Sequence, residues 1–151
     1  MTLPAKVFLF GLRISLGWLF LYAGITKLIN PEWSAGGFLG GAKTLTGLYA
    51  WFGSEQMLPF INFINEWGLT LLGVSLILGA FVRISAPLGA LLMILYWIPR
   101  LQAFKPDTNS FLVDSHIIYA FVLLFFAAFH VGQYWGLDEK LRHSKFFRRW
   151  A

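Results

Sequence analysis

Long apolar runs alternate with short polar breaks along the chain. Four of these runs are candidates for membrane-spanning helices, at about residues 7–28, 66–81, 84–98 and 114–135. A spanning helix needs about 20 mostly apolar residues, because the hydrocarbon core is about 30 Å thick and each residue rises about 1.5 Å. Asn30-Pro31, Pro99 and Gly136 supply stop signals near the ends of three runs. The pattern predicts an all-α integral membrane four-helix bundle.

The segment between the first two runs, residues 32–65, is different. It is too polar and too rich in glycine to span, and aromatic residues such as Trp33, Tyr49 and Trp51 make it too apolar for a solvated loop. Aromatic rings prefer the membrane interface. We therefore expect a long extracytoplasmic loop of short interfacial helices, which serves either as an ordered cover for the bundle or as a lid over a substrate.

Composition supports the membrane assignment. The chain is 58% hydrophobic and only 13% charged, against roughly 25% charged residues in soluble proteins. Its length predicts a single domain over residues 1–151. The net charge of +5 is concentrated in a basic tail over residues 138–151, which suits an anionic membrane surface and not nucleic acid. Cysteine is absent, so disulfides and thiolate chemistry are excluded within the chain.

The distribution of Lys and Arg predicts the orientation. Four crossings place both termini on one side, and that side carries eight of the basic residues against four on the other. Basic residues accumulate on the cytoplasmic side of membrane proteins. We expect a multi-pass protein of the cell (inner or plasma) membrane with both termini in the cytoplasm.

Charged and polar side chains fall at two depths. The outer level draws on the outward ends of all four runs: Lys27, Glu66, Arg100, Asp114 and His116. The inner level lies towards the cytoplasm: Arg13, Arg83, His130 and Asp138. Charges in a bilayer are costly and often mark functional sites, although helix-end charges also reach the interface or pair for structural reasons. We expect Glu66, Asp114 and His116 to donate or accept protons, and Lys27 and Arg100 to hold anionic groups.

Helical periodicity assigns these residues to faces. The first run carries one stripe: Arg13, Gly17, Phe20, Gly24 and Lys27. The second carries another: Glu66, Thr70, Gly73 and Ile77. The fourth carries a third: His116, His130, Tyr134 and Asp138. Because small residues let helices approach closely, the two glycine-bearing stripes are expected to face the bundle.

Several cofactor chemistries fit poorly. Haem is disfavoured, because His116 and His130 would each need a second axial ligand and the chain offers only Met93 and the tail residue His143. No His-x-x-x-His or Glu-x-x-His pair occurs in the bundle, so no metal site is predicted. A quinone against aromatic rings and a polar conduit both remain open. The candidate quinone contacts are Trp18, Tyr22, Trp97, Tyr119 and His130, and the alternative is that the rings form an interfacial belt.

Three stretches carry a family resemblance. They are RISLGWLFLYAGITKL from Arg13, NEWGLTLLGVSLILGAFVR from Asn65, and VDSHIIYAFVLLFFAAFHVGQYWGLDEKL from Val113. In these stretches the sequence resembles the DoxX/DoxD family of four-helix membrane proteins, more closely the DoxD-like branch related to the membrane subunit of thiosulfate:quinone oxidoreductase. It departs from the family near the end of the last run, where His130 is present and an arginine is missing.

The resemblance implies a membrane subunit of a quinone-linked oxidoreductase that passes electrons from a sulfur compound such as thiosulfate to quinone. Whether the chain is itself an enzyme and which cofactor it uses stay open. The expected partners are the lipid bilayer, quinone, and another membrane or soluble subunit or a second copy. Because cysteine is absent, any covalent persulfide must form on another subunit. A non-catalytic anchor or assembly subunit and a small transporter or channel are the alternatives.

Overall fold

The structure is a computed structural model that describes residues 1–106 and 109–143. These residues form helices and no β-strand, which confirms the all-α prediction. The helices are α1 Leu3–Leu28, α2 Gly36–Gly40, α3 Thr46–Phe52, α4 Leu58–Leu78, α5 Val82–Trp97, α6 Ser115–Ala128 and α7 Leu137–Leu141, with 3-10 turns at Ile98–Arg100 and Val131–Gln133. From residue 144 onward the predicted basic tail lies outside the described residues.

Three helices are long and apolar enough to cross a membrane: α1, α4, and α5 together with its 3-10 extension to Arg100. The fourth apolar helix, α6, has 14 residues and is about 21 Å long, which is short for a hydrocarbon core of about 30 Å. Exposed apolar side chains precede this helix in the sequence at Phe111 and Val113 and follow it at Phe129. The fourth crossing therefore stays a prediction.

Two predicted helix boundaries are wrong. α4 begins at Leu58 and not at Glu66, because Asn62 and Asn65 are satisfied inside the fold. The side chain of Asn62 accepts a hydrogen bond from the Ala35 amide at 2.9 Å, and Asn65 is buried. Polar residues that make the segment look like a loop thus belong to the first turns of a helix. The start of α5, at Val82, lies close to the predicted position.

The last helix also differs from its prediction, because it ends at Ala128 and not at Trp135. His130 follows in a left-handed conformation with φ 50°, and the chain turns through a 3-10 turn into α7. A left-handed residue cannot continue a right-handed helix. The predicted common face of His116, His130, Tyr134 and Asp138 therefore does not exist.

Helices α1 and α4 pack closely as an antiparallel pair. A Cβ atom added to Gly24 would lie 2.5 Å from the Thr70 amide nitrogen, and one added to Gly73 would overlap the backbone of Leu21. Glycine is required at both positions because the backbones touch. The predicted glycine stripes of α1 and α4 thus face each other, and the antiparallel contacts bring the Lys27 end of α1 to the start of α4.

Helices α2 and α3 form a small unit at one end of the bundle. Ala35, Leu39 and Tyr49 are its buried core, and Ile98 at the end of α5 packs against it. The Tyr49 hydroxyl donates a hydrogen bond to the Leu95 carbonyl at 2.9 Å. The segment before α4 is therefore ordered and packs against the end of α5. We call this end of the molecule, with α2 and α3, the outer end, and the end with Arg13 and α7 the inner end.

Candidate functional site

Four polar side chains from α4, α5 and the start of α6 meet near the outer end. We call them the outer polar cluster: Asn65, Tyr96, Asp114 and His116. The Tyr96 hydroxyl donates to Asn65 Oδ1, and Asn65 Nδ2 donates to the Ile61 carbonyl at 2.9 Å. The Tyr96 ring meets the His116 ring edge-on, with 5.8 Å between centroids. These contacts fix the orientation of the tyrosine and place its ring beside the imidazole.

Asp114 begins α6 and holds His116. Its Oδ1 accepts the amide N–H groups of His116 at 2.9 Å and Ile117 at 3.3 Å, and its Oδ2 lies 2.8 Å from His116 Nδ1. Burial of the Asp114 carboxyl opposes its ionisation, but the hydrogen bonds and charge of His116 outweigh burial and hold its pKa below the ordinary value. A carboxylate at Nδ1 favours the proton on that nitrogen, which leaves Nε2 as a hydrogen-bond acceptor in the neutral ring.

Glu66 and Lys27 lie towards the same end but make different contacts. Lys27 Nζ donates to the Ala23 carbonyl at 3.1 Å and lies 5.2 Å from the centre of the Trp33 ring. The half-buried Glu66 carboxylate forms no hydrogen bond or ion pair with any residue in 1–106 or 109–143. The outer end thus holds an acid whose oxygens are available to a ligand or to water.

Arg100 lies in the 3-10 turn after α5 and lines an open cleft of about 690 Å³. Phe38 of α2 lines the same cleft, and its ring meets the Tyr96 ring edge-on with 5.8 Å between centroids. One aromatic ring therefore separates the cleft from the outer polar cluster.

The candidate quinone contacts are scattered. Trp18 and Tyr22 are 61% and 63% exposed on the outward side of α1, so they do not line the interior. Trp97 Nε1 donates to the Leu112 carbonyl at 2.8 Å. Tyr119 is half-buried on α6, and His130 lies in the turn at the inner end. Sequence reasoning missed Asn65, although an amide within an apolar run is the kind of signal that indicates a buried polar contact.

Arg13 anchors the inner end. Its side chain is fully buried. Nη1 donates to the carbonyls of Val131 at 3.5 Å and Gly132 at 3.4 Å, and Nη2 donates to Trp135 at 3.4 Å. The guanidinium therefore draws the chain after α6 around itself, which is the physical reason why α6 stops early.

Asp138 ties the same region to α5. Its carboxylate accepts the amide N–H groups of Phe81 at 2.6 Å and Val82 at 3.1 Å, so it caps the start of α5. The Asp138 amide donates to the Gly79 carbonyl at 2.8 Å. Arg83, predicted at the same level, is exposed and takes no part. We call Arg13, Asp138 and Gly79 the inner cluster.

Comparison with known families decides the assignment. A family model for DoxX matches residues 8–99, more than half of the chain. The chain belongs to the DoxX family. The DoxX match covers α1 to α5 and includes Arg13, Lys27 and Glu66, but it ends before Asp114 and His116. No curated protein and no solved structure matches the chain. Among the residues that the structure describes in this DoxX protein, no group of three or more His, Asp or Glu could hold a metal ion.

Proposed function

We propose that this DoxX-family membrane protein is the membrane subunit of a quinone-linked oxidoreductase and that the outer polar cluster contacts the quinone. The observation that carries the proposal is the pair of His116 and Asp114. The pair uses Nδ1, and Nε2 of His116 has no hydrogen-bond partner within residues 1–106 and 109–143. In this proposal the protein lies in the cell membrane with both termini in the cytoplasm.

His116 suits the chemistry of a quinone. Reduction of a quinone to a quinol takes two electrons and two protons, and the reverse reaction releases them. Neutral Nε2 can accept the proton of a quinol hydroxyl, and the protonated ring can donate to a quinone oxygen. The Asp114 carboxylate stabilises the imidazolium that forms. The ring of Tyr96 supplies an apolar wall beside the imidazole, and Glu66 is a candidate for the second proton.

The electrons must come from another component. The family resemblance suggests a sulfur compound such as thiosulfate, and Lys27 and Arg100 at the outer end are candidates to attract its negative charge. The chain has no cysteine, so a covalent sulfur intermediate would require a partner subunit. The proposal therefore includes a second subunit that oxidises the donor and passes electrons to the quinone held here.

Binding of a quinone analogue tests the proposal. We expect the purified full-length protein to bind a short-chain ubiquinone analogue saturably, as measured by quenching of tryptophan fluorescence. His116→Ala should weaken binding about tenfold, because it removes the hydrogen bond between the imidazole and an oxygen of the quinone analogue. His130→Ala is the matched control, since His130 lies at the inner end. Equal affinities of the two variants, or no binding by the wild type and Glu66→Gln, would refute the quinone site.

A non-catalytic anchor or assembly subunit is the second candidate, and the inner cluster favours it, because buried charges there bind only the protein's own backbone. It predicts that charge-neutral swaps at Lys27, Glu66 and Asp114 change expression and stability alone. A transporter or channel is disfavoured by the apolar core between the two ends, where Leu72, Leu76 and Leu123 are buried. Measurable proton or anion flux in liposomes would revive that function.

A further inference from the structure

The side of α1 that points away from α4 is exposed. The buried residues of α1, among them Gly17, Phe20 and Gly24, lie on the side that packs against α4. On the opposite side, exposed residues recur at alternating steps of three and four along the helix: Phe8, Gly11, Ser15, Trp18, Tyr22 and Ile25. We call these residues the exposed α1 stripe. Such steps return to the same side of a helix, and their seven-residue repeat is the spacing by which two helices pack along their length.

Three residues of the exposed α1 stripe carry hydrogen-bonding groups deep in a helix that is long and apolar enough to cross a membrane. At a rise of about 1.5 Å per residue, Ser15 and Trp18 lie within about 5 Å of the middle of α1. Tyr22 lies about 10 Å from the middle, inside a hydrocarbon core that extends about 15 Å to either side. The side chains of these three residues form no hydrogen bond within residues 1–106 and 109–143. Because the core of a bilayer holds no water to satisfy them, these groups gain free energy when they meet a partner.

The other long apolar helices lack this chemistry. An exposed stripe with the same spacing runs along α4, at Ile64, Trp67, Leu71, Val74 and Leu78. It contains no hydroxyl group, and its tryptophan lies next to Glu66 near the outer end. In the part of the chain that the structure describes, exposed side-chain hydroxyls inside a helix able to span occur on α1 alone. The spacing is therefore shared, and the hydrogen-bonding groups are what distinguish the face of α1 from a surface that only meets lipid.

We propose that the exposed α1 stripe is the contact surface between two copies of this chain. Two copies inserted in the same direction are related by a twofold axis perpendicular to the membrane, which brings equivalent residues together at the same depth. A hydroxyl group both donates and accepts, so Ser15 and Tyr22 can each pair with the same residue of the second copy. Trp18 Nε1 only donates, and Ser15 of the second copy offers an acceptor about one turn away. A symmetric pair thus satisfies groups that lipid tails leave unpaired.

The stripe also leaves room for a second helix. Gly11 lies one turn before Ser15, and a Cβ atom there would meet no other atom within 4 Å. Small residues four positions apart allow two helix backbones to approach closely in a membrane. The contact uses the side of α1 opposite to α4, and the outer polar cluster contributes no residue to it. The proposal is therefore independent of quinone binding.

Disulfide cross-linking tests the proposal, because the chain has no cysteine of its own. The full-length Ser15→Cys variant, which differs from the wild type by one side-chain atom, would be reconstituted at low density in lipid vesicles and oxidised with copper phenanthroline. A disulfide forms only between closely spaced residues, so we expect a covalent dimer to appear at least about tenfold faster than in the control Leu71→Cys. The control places its thiol on the exposed stripe of α4. Equal rates in the two variants, or no dimer from Ser15→Cys, would overturn the proposal.

Energy transfer between differently labelled copies in vesicles measures association without a cross-link. Ser15→Ala combined with Tyr22→Phe removes both hydroxyls but keeps the shape of the stripe, and it should weaken association about tenfold. Gly11→Leu should weaken association as well, because it blocks the close approach. Gly68→Leu on α4 is the matched control, since a Cβ atom there also meets nothing within 4 Å. The proposal fails if the variant without hydroxyls associates like the wild type or if the two leucine variants behave alike.

Discussion

The inner and outer ends of the bundle hold polar side chains in opposite ways. At the inner end Arg13 is fully buried and Asp138 is 2% exposed, and apart from Arg13 Nε their hydrogen-bonding groups bind the protein's own backbone. At the outer end the His116 side chain is 20% exposed and makes one side-chain hydrogen bond, to Asp114. Charges that the protein's own groups satisfy contribute to stability, whereas accessible groups with unused hydrogen-bond donors or acceptors are available to a ligand. The comparison indicates a structural role for the inner end and leaves the accessible groups of the outer end available to the proposed ligand.

The largest expected effect distinguishes Arg13 from Arg83, two arginines that the sequence places at the same depth in the membrane. Arg13→Met should lower the free energy of unfolding by about 3 kcal/mol, because it leaves three carbonyls without a donor and the buried Asp138 carboxylate without a nearby cation. Arg83→Met is the matched control and should change it by less than about 0.5 kcal/mol, since Arg83 is exposed. Unfolding in detergent measures both, and equal effects would contradict a structural inner cluster.

The contact between α1 and α4, which runs from one end of the bundle to the other, supplies the next prediction. Gly73→Ala should cost about 1–3 kcal/mol of unfolding free energy, because the added methyl group overlaps the backbone of Leu21 and forces α1 and α4 apart. Gly68→Ala on the same helix is the control, since nothing lies within 4 Å of its Cβ position, and it should be neutral or slightly stabilising. If thermal unfolding shows both variants equally stable, the close antiparallel packing is wrong.

The sequence predicts much of the contact between α1 and α4 and little of the inner cluster. The stripe through Gly17 and Gly24 is periodic, so its direction can be read from the helix repeat alone. The early end of α6 is not local, because it depends on Arg13 drawing in carbonyls more than a hundred residues away. The early start of α4 is hidden for a similar reason, since the partner of the Asn65 side-chain oxygen is the hydroxyl of Tyr96 on another helix.

A smaller effect concerns the outer end, where one residue has two separable tasks. Asp114→Ala should lower the free energy of unfolding by about 1 kcal/mol through loss of the N-cap of α6, whereas Asp114→Ser should keep most of the cap. Both variants remove the carboxylate that holds His116 Nδ1. If that contact orients the imidazole for a quinone, both should weaken the quinone analogue about tenfold while only the alanine variant loses stability. Unchanged binding in both variants would return the outer end to a structural role.

The smallest expected effect is a dependence on pH that belongs to the outer end. Burial raises the pKa of Asp114, but the hydrogen bonds with His116 lower it by more, so the pKa lies below its ordinary value. Its carboxylate therefore contributes stability above the unfolded pKa of about 3.9, and this contribution is lost as the pH falls through the lower pKa of the folded state.

Asp114→Asn has no such contribution to lose. Unfolding measured from pH 6 to pH 3 should show a steeper decline for the wild type than for this variant, by at most about 1 kcal/mol. Parallel curves would mean that the aspartate and histidine interact no more strongly in the folded protein than in the unfolded chain, and the distinction between the two ends would then rest on exposure alone.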